Sequence, residues 1–197
     1  MRKGRLEAFS DGVLAIIITI MVLEMKIPES GELTDLKKLW PVFLSYILSF
    51  VNVGLYWNNH HHLFQLVQKV DGKVLWANTH LLFWLSLLPF ATGWMGENHF
   101  TLWPVILYGI VLTMAGAAYF ILVLCLKALP GNEKVAIAIG TDTKGKVSVV
   151  IYLLAIPLAF VHPWIALALY FVVVSIWIIP DRRIEKKIVL LQDPDEA

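Results

Sequence analysis

The sequence predicts an all-α membrane protein with six transmembrane helices in each subunit. Hydrophobic residues make up 58% of the 197 positions, and the mean hydropathy is +0.72, both typical of an integral membrane protein. Six apolar stretches with short connections account for nearly the whole chain, so no soluble domain of useful size fits beside them. A net charge of +1 gives no indication of nucleic-acid binding.

The six predicted spans are apolar stretches of about the length that crosses a bilayer. They cover approximately residues 6–25, 40–66, 73–95, 102–126, 146–161 and 164–179, and they form one six-span domain over residues 1–179. Residues 27–39 are predicted to be an acidic, turn-rich loop, in which a short helix after Ser30 remains open. Residues 129–145 form a second polar loop, in which a helix end at Ile137 and Ile139 remains open. Residues 180–197 form a charged amphipathic tail at the membrane surface.

The distribution of lysine and arginine predicts the orientation of the chain in the membrane. One side of the predicted topology carries only Lys26, Lys37 and Lys38, which leaves thirteen of the 16 basic residues on the side of both termini. Positively charged loops stay in the cytoplasm. Both termini are therefore predicted to be cytoplasmic, in a multi-pass protein of the plasma membrane.

The first span combines an apolar stripe with an acidic residue. At 100° per residue, Thr19, Ile20 and Leu23 fall within about 60° of Ile16, whereas Asp11 lies roughly 140° from that direction. An acid inside a span is costly and usually faces a bundle interior or a water path. The stripe and the acid are thus expected to face different surroundings. Periodicity alone is equally compatible with a lipid-facing helix whose Asp11 caps its start.

The motif R-x-x-x-F-S-D followed by G-V-L-A-I-I-I-T favours the first interpretation, in which the stripe faces a partner or a pore, over a lipid-facing helix. It resembles the first helix of the prokaryotic members of the transmembrane protein 175 family, potassium channels related to the lysosomal one. The resemblance extends through the third span. It implies a homotetramer whose four first helices surround the pore, with Ile16 at the main constriction. The residues that carry the match are Arg5, Phe9, Ser10, Asp11, Ile16, Thr19, Asn59, His60, His61 and Asn78.

Polar residues in the first three spans lie at a similar predicted depth. Asp11 is roughly 9 Å inside the cytoplasmic face, and His60, His61, Asn78 and His80 are about as deep in their own spans. A buried carboxylate needs hydrogen-bond donors. Ser10 and Asp11 are therefore predicted to bond to Asn78 and to one of the two histidines. The resemblance implies that this network props the pore helix against its neighbours.

A metal site or a proton relay is the alternative use of the same histidines. Three consecutive histidines on a helix point about 100° apart, so His60, His61 and His62 cannot ligate one ion together. No H-x-x-x-H spacing occurs either, and no metal or other cofactor is predicted. A relay through Asp11, His60 and His80 in a proton-coupled or proton-conducting transporter stays open.

The sequence therefore predicts a potassium-permeable, leak-like cation channel. It lacks the T-V-G-Y-G filter, so backbone carbonyls are not expected to select the ion. Rings of Ile16, Thr19, Ile20 and Leu23 would instead form a hydrophobic constriction that gates by dewetting. The expected partners are other copies of the chain, the lipid bilayer and permeant K⁺. No enzyme motif such as G-x-S-x-G or H-E-x-x-H is present, so an enzyme is not expected.

Overall fold

The computed structural model describes residues 3–28, 30–140 and 143–178, and within these ranges all regular structure is α-helical. This confirms the predicted all-α fold. Residue 179 and the tail predicted at residues 180–197 lie outside the described residues. The helices, in chain order, are α1 (Lys3–Leu23), α2 (Leu33–Lys38), α3 (Trp40–Gln65), α4 (Gly72–Ser86), α5 (Leu88–Glu97), α6 (Leu102–Ala128), α7 (Glu133–Ile139), α8 (Thr143–Ala159) and α9 (Pro163–Ile178).

Four segments among the described residues are long and apolar enough to cross a membrane: α1, α3, α6 and the pair α4–α5, Gly72–Glu97. The remaining apolar sequence forms a hairpin of α8 and α9, with 17 and 16 residues. At 1.5 Å per residue these helices reach about 26 and 24 Å, slightly less than the ~30 Å hydrocarbon core. Six spans per subunit therefore remain a prediction that depends on this hairpin.

The third apolar segment is divided into two helices, where the sequence suggested one continuous span over residues 73–95. Helix α4 ends at Ser86 and α5 begins at Leu88, with Pro89 in its first turn. Proline lacks the amide hydrogen and its ring crowds the preceding turn, so it suits the start of a new helix. At the other end of α4, Asp71 caps the helix by accepting from the Val74 amide at 2.9 Å.

Two short helices lie in the predicted loops. Helix α2 occupies the position after Ser30 that the sequence left open. Helix α7 lies within the polar loop predicted at residues 129–145, where a helix end at Ile137 and Ile139 was left open. Its Val135 and Ala138 are buried, so burial of a small apolar face stabilises a helix that the surrounding turn formers obscure.

Helix α6 lies at the centre of the subunit, where it contacts α4, α5, α8 and α9. Helix α1 packs at the edge of this bundle, against α3, α4 and α5. Close contact between α3 and α5 depends on Gly96, because a Cβ there would lie 2.8 Å from the Val42 Cα atom. The bundle therefore holds one face of α1 and leaves the opposite face uncovered.

Candidate ion-conduction surface on the first helix

Helix α1 has a buried face and an exposed face. The buried face is a stripe with helical spacing, formed by Leu6, Ser10, Leu14, Ile17 and Met21. Helical geometry places the predicted pore stripe roughly 130° from the centre of this buried stripe. Ile16 is 59% exposed and Leu23 is 75% exposed, and Ile20 is exposed as well. These large apolar side chains are not used to pack the subunit.

Thr19 also lies on the exposed face. Its hydroxyl donates to the Ala15 carbonyl oxygen at 2.9 Å, a local bond that satisfies the donor within α1. The hydroxyl oxygen keeps acceptor capacity toward whatever faces the stripe. Thr19 is thus the polar member of the predicted pore stripe, placed between Ile16 and Leu23.

Arg5 and Phe9, the first two residues of the motif, are exposed on α1. Both lie within about 20° of the Ile16 direction by helical geometry. The motif therefore has two sets of residues with different surroundings. Arg5 and Phe9 continue the exposed stripe toward the start of the helix, whereas Ser10 belongs to the buried face.

A buried polar triad connects α1 to α3 and α4. The Asn78 side-chain amide donates to Ser10 Oγ at 2.9 Å, and Ser10 Oγ donates to the Leu6 carbonyl at 2.9 Å. His60 Nε2 lies 2.8 Å from Asn78 Oδ1, so the network is complete when Nε2 carries the hydrogen. The sequence predicted that Ser10 bonds to Asn78 and to one of the histidines; the structure shows the bond to Asn78, and His60 is linked to Ser10 only through Asn78.

Asp11 lies outside this triad. Its carboxylate is exposed and accepts from the Trp57 indole N–H at 3.0 Å. The expected bond from Asp11 to Asn78 or to a histidine is not found among the described residues. The reason is geometric: consecutive residues on a helix point 100° apart, so Asp11 turns toward the edge of α3 when Ser10 faces α4.

Trp57 is a partner of Asp11 that the sequence did not predict. Its ring stacks on His61, with centroids 5.9 Å apart and planes at 18°. An indole N–H is only a donor, so a tryptophan near the depth of a membrane carboxylate is a natural partner for it. Trp57 precedes the predicted N-H-H sequence by two positions, and this proximity was the available signal.

His61 and His80 pair within their own helices. His61 Nε2 lies 3.0 Å from the Gln65 side-chain nitrogen, and His80 Nε2 accepts from the Trp84 indole N–H at 2.9 Å. Neither histidine contacts Asp11 by a hydrogen bond in the described parts of the chain. Over the same residues, no group of three histidine, cysteine or acidic side chains is arranged to hold a metal ion.

Asn59, the remaining predicted site residue, contributes through its backbone. Its carbonyl oxygen accepts from the Tyr119 hydroxyl at 3.1 Å, which joins α3 to α6. The Asn59 side chain is half-buried, lines a groove against α6 and α8, and points about 100° away from the neighbouring His60. It therefore does not take part in the network that positions α1.

Comparison with known proteins identifies the relatives of this chain. A family profile described as "Endosomal/lysosomal potassium channel TMEM175" matches residues 5–89. A potassium channel of Chryseobacterium sp. (strain P1-3) is 56% identical over 189 residues, which cover 95% of this chain and 98% of that protein. The human endosomal/lysosomal proton channel TMEM175 is 39% identical over 103 residues, which cover 46% of this chain and 20% of that protein.

A solved structure shares the fold over most of the chain. The crystal structure of a lysosomal potassium-selective channel TMEM175 homologue from Chamaesiphon minutus superposes with a TM-score of 0.78 at 29% identity. The match covers 89% of this chain and 95% of that one. The profile and these relatives describe channels rather than enzymes. The chain therefore belongs to the TMEM175 family, as a prokaryotic member, and is a multi-pass membrane cation channel.

Proposed function

We propose that this protein is a potassium-permeable, leak-like channel in which four copies of α1 surround one pore. The observation that carries the proposal is the uncovered apolar face of α1, opposite the stripe that packs on α3, α4 and α5. A single subunit has one copy of this face and cannot enclose a path. A homotetramer would turn the four faces toward a common axis, in keeping with relatives named potassium channels.

The exposed stripe would supply a hydrophobic constriction in place of a carbonyl filter. A ring of Ile16 side chains offers no ligand to an ion, so it would control passage by its width and by dewetting. Potassium would pass more readily than sodium because it gives up its water more easily. Thr19 oxygen atoms, one turn along the helix, would offset part of the dehydration cost.

Substitution of Ile16 tests this arrangement. Ile16→Asn should wet the ring and raise the conductance. In mixed K⁺ and Na⁺ solutions, the reversal potential should shift toward the value expected for a channel that does not distinguish the two ions. Lowering the barrier by only ~1.4 kcal/mol would raise the flux about tenfold. Val22→Asn is the matched control, because Val22 is 42% exposed but points roughly 120° away from Ile16. Equal behaviour of the two variants in planar bilayers would exclude Ile16 as a pore residue.

Thr19→Val tests the polar member of the stripe. The variant keeps the shape and loses only a hydroxyl whose donor bond is local to α1, so assembly should be unaffected. The expected result is a reduced potassium conductance or altered selectivity, with an unchanged elution volume on size-exclusion chromatography. A channel with wild-type currents would show that no permeating ion meets this hydroxyl.

Proton permeation is a second candidate function, favoured by the position of Asp11. Its carboxylate is exposed and is bonded to one tryptophan rather than held in the buried triad. The human relative is also named a proton channel. A pH-sensitive dye inside liposomes that contain the purified protein would measure proton entry, and Asp11→Asn should reduce it. Proton entry equal to that of protein-free liposomes would exclude this function.

The proposed location is the plasma membrane, with both termini in the cytoplasm. The supporting observation is that all but three of the basic residues fall on one side of the predicted topology. A cysteine at Lys3, introduced after Cys125→Ser, should resist a membrane-impermeant maleimide in intact cells. It should react once the cells are opened, and labelling from outside would overturn the topology.

A further inference from the structure

A groove on the far side of α3 from the conduction surface is used by none of the functions above. It is a cavity of about 420 Å³ between α3, α6, α8 and α9, within the size range of ligand sites, roughly 300–1,000 Å³. Its walls are largely apolar, and Gly116 and Ala117 of α6 keep it open. A Cβ on Gly116 would lie 3.3 Å from Val149 of α8, so larger residues there would begin to fill the space.

Polar groups converge inside this groove. Tyr56, Asn59 and Tyr152 line it, and Tyr152 is only 4% exposed. No hydrogen bond joins the Tyr56 or Tyr152 hydroxyl to another described residue, and neither hydroxyl oxygen is fully enclosed, so both remain accessible from the cavity that they line. An occupant of the cavity that carries hydrogen-bond acceptors can therefore accept from both hydroxyls.

One end of the groove is positively charged. Lys146, an exposed residue near the start of α8, lines the cavity there. The Lys144 ammonium lies 6.0 Å from the ring centroid of Trp177, another lining residue. Six residues separate Lys146 from Tyr152, which corresponds to roughly 9 Å along α8. The groove thus combines a charged mouth with apolar walls, and it has hydroxyl donors deeper in the bundle.

We infer that this groove is a binding site for one anionic phospholipid. The phosphate lies at Lys146, the ester carbonyls accept from the tyrosine hydroxyls, and an acyl chain follows the apolar walls. Basic pockets between transmembrane helices on the cytoplasmic side are a known mode of anionic-lipid recognition. The assignment to the cytoplasmic leaflet rests on the proposed topology, whereas the site itself does not depend on conduction.

The lipid fits this groove better than other occupants that could cover an apolar surface. A neighbouring helix from a second copy would bury Lys146, which is costly unless an acidic side chain accompanies it. It would also leave the two tyrosine hydroxyls against side chains rather than beside ester oxygens. A phospholipid supplies an anion for Lys146, acceptors for the tyrosine hydroxyls and an apolar chain for the remaining walls.

Native mass spectrometry of the purified oligomer tests the site. The full-length protein is equilibrated with equal amounts of phosphatidylglycerol and phosphatidylcholine in mixed micelles, and the retained lipids are counted. The expected result is about fivefold more phosphatidylglycerol, the ratio that one lysine near a membrane surface provides. Lys146→Gln should abolish the preference. Lys73→Gln, which removes an exposed lysine outside the groove, should keep it.

Two further variants test the interior of the groove. Ala117→Phe should fill it and reduce retention of both lipids, and Tyr152→Phe should weaken binding without loss of volume. Equal retention of the two lipids by the wild type, or an unchanged preference in Lys146→Gln, would overturn the assignment. So would phosphatidylglycerol binding that appears only after the chain is truncated at residue 179, because its own tail would then be the occupant. None of these readouts requires ion flux, so a failed conduction assay leaves them interpretable.

Discussion

Removal of the Asn78 side chain tests whether the buried triad holds the first helix in place. Asn78 is 2% exposed and joins Ser10 of α1 to His60 of α3 through bonds of 2.9 and 2.8 Å. In Asn78→Ala, Ser10 loses the hydrogen bond that it accepted from Asn78 but still donates to the Leu6 carbonyl. Ser10 therefore contributes little to the loss of stability. His60 loses the acceptor for its ring N–H and becomes the main source of destabilisation.

The size of the effect follows from these two losses. A hydrogen bond between helices in a membrane averages about 0.6 kcal/mol in double-mutant cycles. A buried donor left without a partner costs about 1–3 kcal/mol more. The expected loss of unfolding free energy is therefore about 2–4 kcal/mol. A double-mutant cycle with Ser10→Ala should show coupling, because both variants break the same bond.

Unfolding in mixed micelles with increasing SDS, followed by tryptophan fluorescence, provides the measurement. Thr79→Val is the matched control, because Thr79 is the next residue on α4, is exposed, and bonds only to the Leu75 carbonyl of its own helix at 2.9 Å. It should unfold within about 0.5 kcal/mol of the wild type. Coincident unfolding curves for Asn78→Ala and Thr79→Val would refute the proposed role of the triad.

Two further predictions use the same unfolding assay. Asp11→Asn should cost less than about 1 kcal/mol, because the asparagine oxygen can still accept from Trp57. A loss as large as that of Asn78→Ala would instead indicate a second partner for the carboxylate. Gly96→Ala should cost about 1–3 kcal/mol, since the new methyl group would lie 2.8 Å from the Val42 Cα atom. Gly93→Ala, with nothing within 4 Å, should be neutral or slightly stabilising, and equal losses for both glycines would contradict this contact.

The fold class and the position of α1 could be predicted because both depend on local and repeated features. Long apolar stretches and the positions of the charged residues define the helices without knowledge of their packing. The predicted cluster of Ser10, Asn78 and His60 depended only on the depth of each residue in its own span. Polar groups at equal depth in a membrane have few alternative partners, because lipid offers none.

The partner of Asp11 could not be predicted in the same way. Depth is a single coordinate, and it does not say which side of α1 faces which neighbour. The structure shows that Ser10 points to α4, and this orientation directs Asp11 to Trp57 on α3 instead. The break at Leu87 was not predicted, and helix α7 was left open, for a related reason. Each depends on packing against neighbouring helices, and the spacing of residues in the sequence does not predict that packing.

The triad bears on the proposed conduction path because hydrophobicity alone does not fix the rotation of α1. The helix is apolar on several faces, and isoleucine occupies three consecutive positions from Ile16 to Ile18. A rotation by one residue position, about 100°, would replace one isoleucine with another at little cost in lipid. It would also separate Ser10 from Asn78 and leave buried polar groups unpaired, which lipid penalises. One bond of 2.9 Å between Ser10 and Asn78 thus favours the rotation in which Ile16 and Thr19 remain uncovered.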